Sequence, residues 1–351
     1  MKTVLSVIGA RPQFVKAAPL SRALRGRFHE ILVHTGQHYD PDMSARFRSE
    51  LGLPEPDVDL GVGSAGHAEQ TARMTTGLVR VLAERKPDVV LTYGDTNSAL
   101  AASLAAARTG VPLAHVEAGL RSGVGDMPEE VNRVATDHLS DLCLCPTENA
   151  RKNLEAEGIG DRARLVGDVM LDGCLAAAGR AERGVLDGLE LEPGGYYFAT
   201  VHRASNTDDV ASFLSILSAF GRLRHPVVFP AHPRSRAMLG GPVGNVIVIP
   251  PAGYFATIAL VMNARKVLTD SGGLQKEAFF LGTPCVTLRD TTEWTETVDA
   301  GRNRVVGADP DAIVAAAEEW EPDAESADLE LYGGGKACER IVGELATLLG
   351  G

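Results

Sequence analysis

Residues 115 to 133 read HVEAGLRSGVGDMPEEVNR, which puts one histidine, two arginines and the carboxylates Glu117, Asp126, Glu129 and Glu130 in one connection. Glu117 directly follows an apolar run that reads as a buried strand. A carboxylate there is costly to hold unless it is paired or used. Asp95 ends a second such run, in YGDTN, where an aspartate either caps the next helix or faces a ligand. The segment DMPEEVNR also has a local explanation. Asp126 as N-cap and Glu129 as its capping-box partner would start a helix, with Pro128 in the first turn where a missing N–H is harmless. Arg133 then lies one turn beyond Glu129 and could pair with it. That reading leaves Glu130 without a role.

Cations and glycines supply a different chemistry. Arg11 sits at the turn after TVLSVIG and Lys16 lies one to two turns into the next helix, an arrangement that suits a phosphate group but equally suits two surface cations. The segment TDSGGLQKE follows another strand. Ser271, Gly272 and Gly273 open a helix expected to run to about Leu281, with Gly282 as its stop. The two glycines let backbone amides approach an anion closely, Ser271 adds a hydroxyl, and the helix dipole favours negative charge. These are the features of a nucleotide diphosphate site, and a tight strand–helix turn is the alternative. Glu277, further inside the helix, suits a pair of sugar hydroxyls such as a ribose. His202 ends the strand YYFATVH, where a histidine is more often structural than catalytic.

The elements that must position these residues alternate along the chain. Apolar, β-branched runs at 3–9, 30–36, 88–94, 112–118, 142–147, 164–168, 196–202, 226–232, 245–250, 266–271 and 284–289 are separated by helical patterns. Such alternation implies parallel sheets covered by helices, and ligands then sit beyond the carboxyl ends of the strands. The Gly- and charge-rich stretch 176–195 divides the chain. We expect an α/β protein with two doubly wound, Rossmann-like domains, residues 1–175 and 190–335, facing across a cleft. The last segment, 336–351, reads as an amphipathic helix packing back on the first domain.

Composition narrows the function classes. The chain has 351 residues, 44% apolar and 23% charged, with a formal charge of -12. A nucleic-acid surface needs a basic field, so nucleic acid is not an expected partner. No run approaches the about 20 apolar residues of a membrane helix, so no membrane is expected either. Cys143, Cys145, Cys174, Cys285 and Cys338 are odd in number, form no CxxC pair and follow no secretion signal; buried reduced thiols in a cytoplasmic protein are expected. Patterns for a zinc protease, a Walker A loop or a nucleophile elbow do not occur.

The stretches GARPQFVKAAPL, TGQHYD, YGDTN, HVEAGLR, MPEEVNR, PTENARKNL, VHRASN and LTDSGGLQKEAFFLGTPCVTLRDTTEW, in this order, resemble the non-hydrolysing UDP-N-acetylglucosamine 2-epimerase family over essentially the whole chain. The resemblance implies a GT-B fold and a UDP-sugar substrate whose C2 is inverted through elimination of UDP, a 2-acetamidoglucal intermediate, and its return. It implies catalytic roles for Asp95, Glu117, Glu129 and His202, and UDP binding by Arg11, Lys16, Arg133, Ser271, Gly272 and Glu277. It implies no metal, no cofactor and a homodimer serving polysaccharide or glycan supply.

Departures from the family pattern bear on substrate and regulation. Many bacterial members read T-E-R-P-E where this chain reads TTEWTE, with Trp294 and Thr295. Spellings with MPEE and TEW include relatives that act on 2,3-diacetamido uronic acid UDP-sugars. The second-substrate patches of some bacterial members read here as Gln37-His38-Tyr39-Asp40 and Glu69-Gln70-Thr71, with Glu69 in place of an arginine. Three alternatives follow: the same reaction on a diacetamido uronate, a GT-B glycosyltransferase, and a non-catalytic UDP-sugar binder. A glycosyltransferase would need an acceptor groove and no set of carboxylates about C2. A binder would have no use for the three carboxylates with His202.

Overall fold

A computed structural model describes residues 1–37, 47–181, 184–231, 238, 241–322 and 327–350. The chain divides into two compact units, Met1–Gly173 with Leu329–Gly351, and Cys174–Asp328.

Among the described residues the first unit is built on seven strands: β1 (Thr3–Ile8), β2 (His29–His34), β3 (Val58–Asp59), β4 (Val89–Tyr93), β5 (Leu113–Val116), β6 (Leu142–Cys145) and β7 (Ala163–Leu165). All pair in parallel, in the order β3-β2-β1-β4-β5-β6-β7. Leu5, Val7, Ile31, Val33 and Val90 pack on one face against Met74 and Leu78 of the His67–Arg85 helix. Ala101, Ala102, Ala105 and Ala106 of the Asn97–Thr109 helix fill the same core, their small side chains bringing that helix close to the sheet. The connections run outward from β1 through β2 to β3, then return to the other side of β1 as β4. Loops leaving β1 and β4 therefore diverge, which opens a crevice at their carboxyl ends.

The C-terminal segment belongs to this unit. Asp172 caps the Ala337–Leu348 helix by accepting from the amides of Ala337 (3.1 Å) and Cys338 (2.8 Å), and Arg340 donates to the Val166 carbonyl.

The second unit repeats the plan with β8 (Tyr197–Thr200), β9 (Val227–Pro230), β10 (Val246–Ile249), β11 (Lys266–Thr269), β12 (Cys285–Thr287) and β13 (Asn303–Val305), in parallel order β10-β9-β8-β11-β12-β13. Alternate residues feed two cores: Tyr197 and Ala199 join one, Tyr196 and Phe198 the other. The strand order reverses between β8 and β11, so this unit has its own crevice there.

Every expected run holds a strand shorter than itself, and β2 and β7 begin one residue earlier than expected. β3 and β13 were not expected; both are edge strands of two or three residues, too short to carry a period. All five cysteines are buried and unbridged, and burial pushes the Cys145 thiol up to about 12. Among the described residues no helix is long and apolar enough to cross a membrane.

Candidate active site

In the first unit the switch between β1 and β4 gathers most of the residues singled out above. Arg11 begins the Arg11–Leu24 helix and is half-buried, while Lys16, on the same helix, is buried and ion-paired to Glu117. Lys16 is therefore not a free surface cation. Glu117 leaves β5 with φ +69, and among the described residues it is the one buried residue of the three non-glycines with positive φ. That left-handed conformation costs an L-residue about 1–2 kcal/mol. It is held by its surroundings: the amides of Glu117 and Ala118 both donate to the Leu144 carbonyl at 3.1 Å.

Asp95 does not cap the helix that follows it. Thr96 does, accepting from the Ala99 amide at 3.3 Å, which leaves the Asp95 carboxylate to pair with Arg133. The capping box offered above as the alternative reading of DMPEEVNR is also absent. The helix is Pro128–Leu139 with Met127 as N-cap and no side-chain cap, because Asp126 lies one residue too early. Glu129 is exposed, and the carboxylates that pair with Arg133 are Asp95 and Glu130 (3.0 Å) rather than Glu129.

Glu130 gains the role that the sequence left open. Its carboxylate accepts from the amides of Ser122 and Gly123, from the Ser122 hydroxyl at 2.9 Å and from Arg133. Burial alone would push this carboxyl up. The Ser122 amide and hydroxyl, the Gly123 amide and Arg133 outweigh it and hold the group below the ordinary glutamate range.

Three residues that sequence reasoning missed hold the β4 turn from beneath. The consecutive carbonyls of Tyr93, Gly94 and Asp95 each accept a side-chain hydrogen bond: from Gln13 Nε2 (2.9 Å), His115 Nε2 (2.7 Å) and Asn132 Nδ2 (2.9 Å). Gln13 is fully buried, and its Oε1 accepts from the Gly9 and Ala10 amides, which ties the β1 turn to the β4 turn. His115 is fully buried as well, and its Nδ1 faces Asp137 Oδ1 at 2.7 Å. A carbonyl only accepts, so Nε2 is the donor to Gly94. Asp137 also accepts from the Gly119 amide (3.1 Å) and Arg121 (2.7 Å). Burial would raise its carboxyl, but His115 and Arg121 prevail and keep it below the usual aspartate range. Arg121 continues outward to Glu157 through two bonds of 2.6 and 2.7 Å. The one sequence signal for these partners was the polar His115 inside an apolar strand; Asp137 and Asn132 are ordinary helix residues until folded.

In the second unit the switch between β8 and β11 gathers the others. Asp270, fully buried after β11, accepts from the amides of His202 (3.0 Å) and Arg203 (3.0 Å) and from Asn206 Nδ2 (3.1 Å). It also lies 3.3 Å from His202 Nδ1, and so fixes the turn that presents the exposed His202 ring. Ser271 is the N-cap of the Gly272–Phe280 helix, accepting from the Leu274 amide at 3.4 Å; Gly272 and Gly273 form its first turn and Glu277 is buried on it. Trp294 is buried with Lys276 Nζ 3.9 Å from its ring, a packing role that occupies the TTEWTE departure. Neighbouring Glu293 pairs with Arg289 at 2.9 Å.

The segments compared above with the second-substrate patches of some bacterial members are only partly described. Glu69 pairs with Arg73 on its own helix, and Gln70 bonds to the Gly63 carbonyl at 2.9 Å and to Asn97 at 2.9 Å. His38, Tyr39 and Asp40 lie outside the described residues. Among the described residues no three His, Cys, Asp or Glu side chains converge as a metal site.

A family model described as UDP-N-acetylglucosamine 2-epimerase matches residues 22–346. The chain belongs to that family. It is an isomerase of the UDP-sugar 2-epimerase type. It is 47% identical to UDP-2,3-diacetamido-2,3-dideoxy-D-glucuronate 2-epimerase of Pseudomonas aeruginosa, over 98% of this chain and 99% of that one. A Methanococcus maripaludis protein described as a UDP-N-acetylglucosamine 2-epimerase homolog is 44% identical, over 98% of this chain and 99% of that one. Among solved structures, UDP-GlcNAc 2-epimerase of Methanocaldococcus jannaschii, in complex with UDP-GlcNAc and UDP, aligns with a TM-score of 0.89 at 37% identity. That alignment covers 99% of this chain and 100% of the other, and the family's two Rossmann-like, GT-B-type halves are those described above.

Proposed function

We propose that the protein interconverts UDP-GlcNAc and UDP-ManNAc by elimination and re-addition of UDP at C1. The observation that carries this reading is the pairing of Asp95 with Arg133 and of Glu117 with Lys16 at the switch point of the first sheet. C2–H has no neighbouring carbonyl to acidify it, so its removal must accompany loss of a strong C1 leaving group. One carboxylate takes the C2 proton, the C1–O bond breaks with its electron pair leaving on UDP, and a C1–C2 double bond forms. Return of UDP to C1 with protonation of the opposite face of C2 completes the inversion. Asp95, Glu117, Glu129 and His202 are the proton-transfer set in this reading. Arg11, Lys16 and Arg133 offset the negative charge of the diphosphate. The Ser271-Gly272-Gly273 turn offers helix N-terminal amides to the phosphates and Glu277 a carboxylate to the ribose. The active form in this reading is a homodimer.

A second substrate is favoured by the 47% identity to the Pseudomonas aeruginosa diacetamido-glucuronate epimerase. Purified protein should be given each UDP-sugar separately and kcat/KM measured by anion-exchange separation of the epimers. A higher value for UDP-GlcNAc supports the first reading. A preference for the diacetamido uronate moves the substrate and keeps the reaction. Transfer of the sugar to an added acceptor, with no epimer formed, overturns both.

A further inference from the structure

Each side chain that holds the β4 turn is a near neighbour of a charged residue of the candidate site. Gln13 precedes Lys16 on one helix, His115 precedes Glu117 at the end of β5, and Asn132 adjoins Arg133. Their donors converge on three successive carbonyls, Tyr93, Gly94 and Asp95. Four segments distant in sequence are thereby fixed to one another at a single peptide turn. Backbone carbonyls at the end of a strand ordinarily go to water or to the next turn; here all three are taken by buried side chains.

His115 is the centre of this arrangement. It bonds the Gly94 carbonyl on one side and Asp137 on the other, and Asp137 in turn bonds the Gly119 amide. The ring therefore spans the turn carrying Asp95 and the turn carrying Glu117. Gly94 has φ +63, and a Cβ there would lie 2.8 Å from Lys16 Nζ and 3.2 Å from Glu117 Oε2, so the clamped peptide forms the floor of the ion pair. A shift of the Gly94 peptide would move Asp95 and Glu117 relative to each other, and misplacement by about 1 Å can cost about 100-fold in rate.

We propose that Gln13, His115 and Asn132 are positioning residues for the epimerase reaction, with His115, through Asp137, setting the spacing of Asp95 and Glu117. The alternative is a satisfied core histidine that contributes only stability. This inference rests on the reading of Asp95 and Glu117 as proton-transfer groups.

The test compares kcat, KM and melting temperature of the wild type, His115→Ala, His115→Gln, Asn132→Leu and Asp172→Asn. Asp172 caps the C-terminal helix, so its variant reports the effect of lost stability alone. The readout is deuterium incorporation at C2 of the preferred UDP-sugar in D2O. His115→Ala should lower kcat by about 100-fold with KM changed by less than about threefold. His115→Gln, which can still donate to Gly94, should recover about tenfold of that loss. Asn132→Leu should show the same split and decides the matter if His115→Ala does not fold. If these variants fold and keep the kcat of Asp172→Asn, the inference is overturned while the epimerase reading stands. A wild type that incorporates no deuterium into any UDP-sugar overturns both.

Discussion

Lys16 and Glu117 stand 101 residues apart in sequence and form a buried ion pair against Gly94. With side-chain exposures of 10% and 7%, the pair is largely withdrawn from water. Removing one member takes this partner from the other, buried charge, at a cost of about 3–5 kcal/mol. Lys16→Met should therefore lower the urea midpoint markedly. Adding Glu117→Gln to it should restore much of the stability and none of the turnover. A single variant within about 1 kcal/mol of the wild type would show that the pair is solvated.

Asp95→Asn keeps the shape of the side chain and removes its charge. Because Thr96, not Asp95, caps the next helix, and Arg133 keeps its pairing with Glu130, folding should be little affected. Turnover should fall by about 1000-fold or more, with UDP affinity within about threefold of the wild type by calorimetry, since uniform binding is not what the carboxylate supplies. Wild-type-like turnover would remove Asp95 from the mechanism.

Glu130 provides a pH dependence. A carboxylate whose folded value is depressed adds stability that is complete above its unfolded value, about 4.3, and is lost as pH falls through the folded value. Glu130 is depressed, despite burial, by the Ser122 amide and hydroxyl, the Gly123 amide and Arg133. The melting temperatures of wild type and Glu130→Gln should differ near neutral pH and converge in acid, below about 4. A gap that stays constant into strong acid would mean that Glu130 is not held ionised.

At Gly272 a Cβ would lie 2.8 Å from Glu293 Oε1 and 3.2 Å from Trp294 Nε1. Glu293 is tied to Arg289 and Trp294 is buried, so neither yields freely. Gly272→Ala should narrow the approach to the helix N-terminus and weaken UDP binding about tenfold, about 1.4 kcal/mol. Unchanged UDP affinity would place the diphosphate elsewhere.

The sheets were legible because buried parallel strands are apolar and β-branched along their whole length, as in Val89–Tyr93 and Leu113–Val116. The edge strands Val58–Asp59 and Asn303–Val305 were not, since so few residues show no period. The site was legible where a charged residue ends an apolar run, as Glu117 and Asp95 do. Local rules misled at DMPEEVNR, where a capping-box spelling is overridden by a helix that begins at Pro128. The clamp on residues 93–95 was hidden for a different reason. His115 and Asp137 are 22 positions apart and Gln13 and Tyr93 are 80 apart, and only the packing of helices on the parallel sheet brings those pairs together.

The most direct test of the central claim is proton exchange at C2. Wild-type protein incubated with UDP-GlcNAc in D2O should yield UDP-ManNAc, with deuterium at C2 of both epimers by proton NMR and no net loss of UDP-sugar. Inversion with the original proton retained at C2 would contradict an elimination and re-addition carried by Asp95 and Glu117, and UDP-GlcNAc recovered with neither inversion nor deuterium would contradict that substrate.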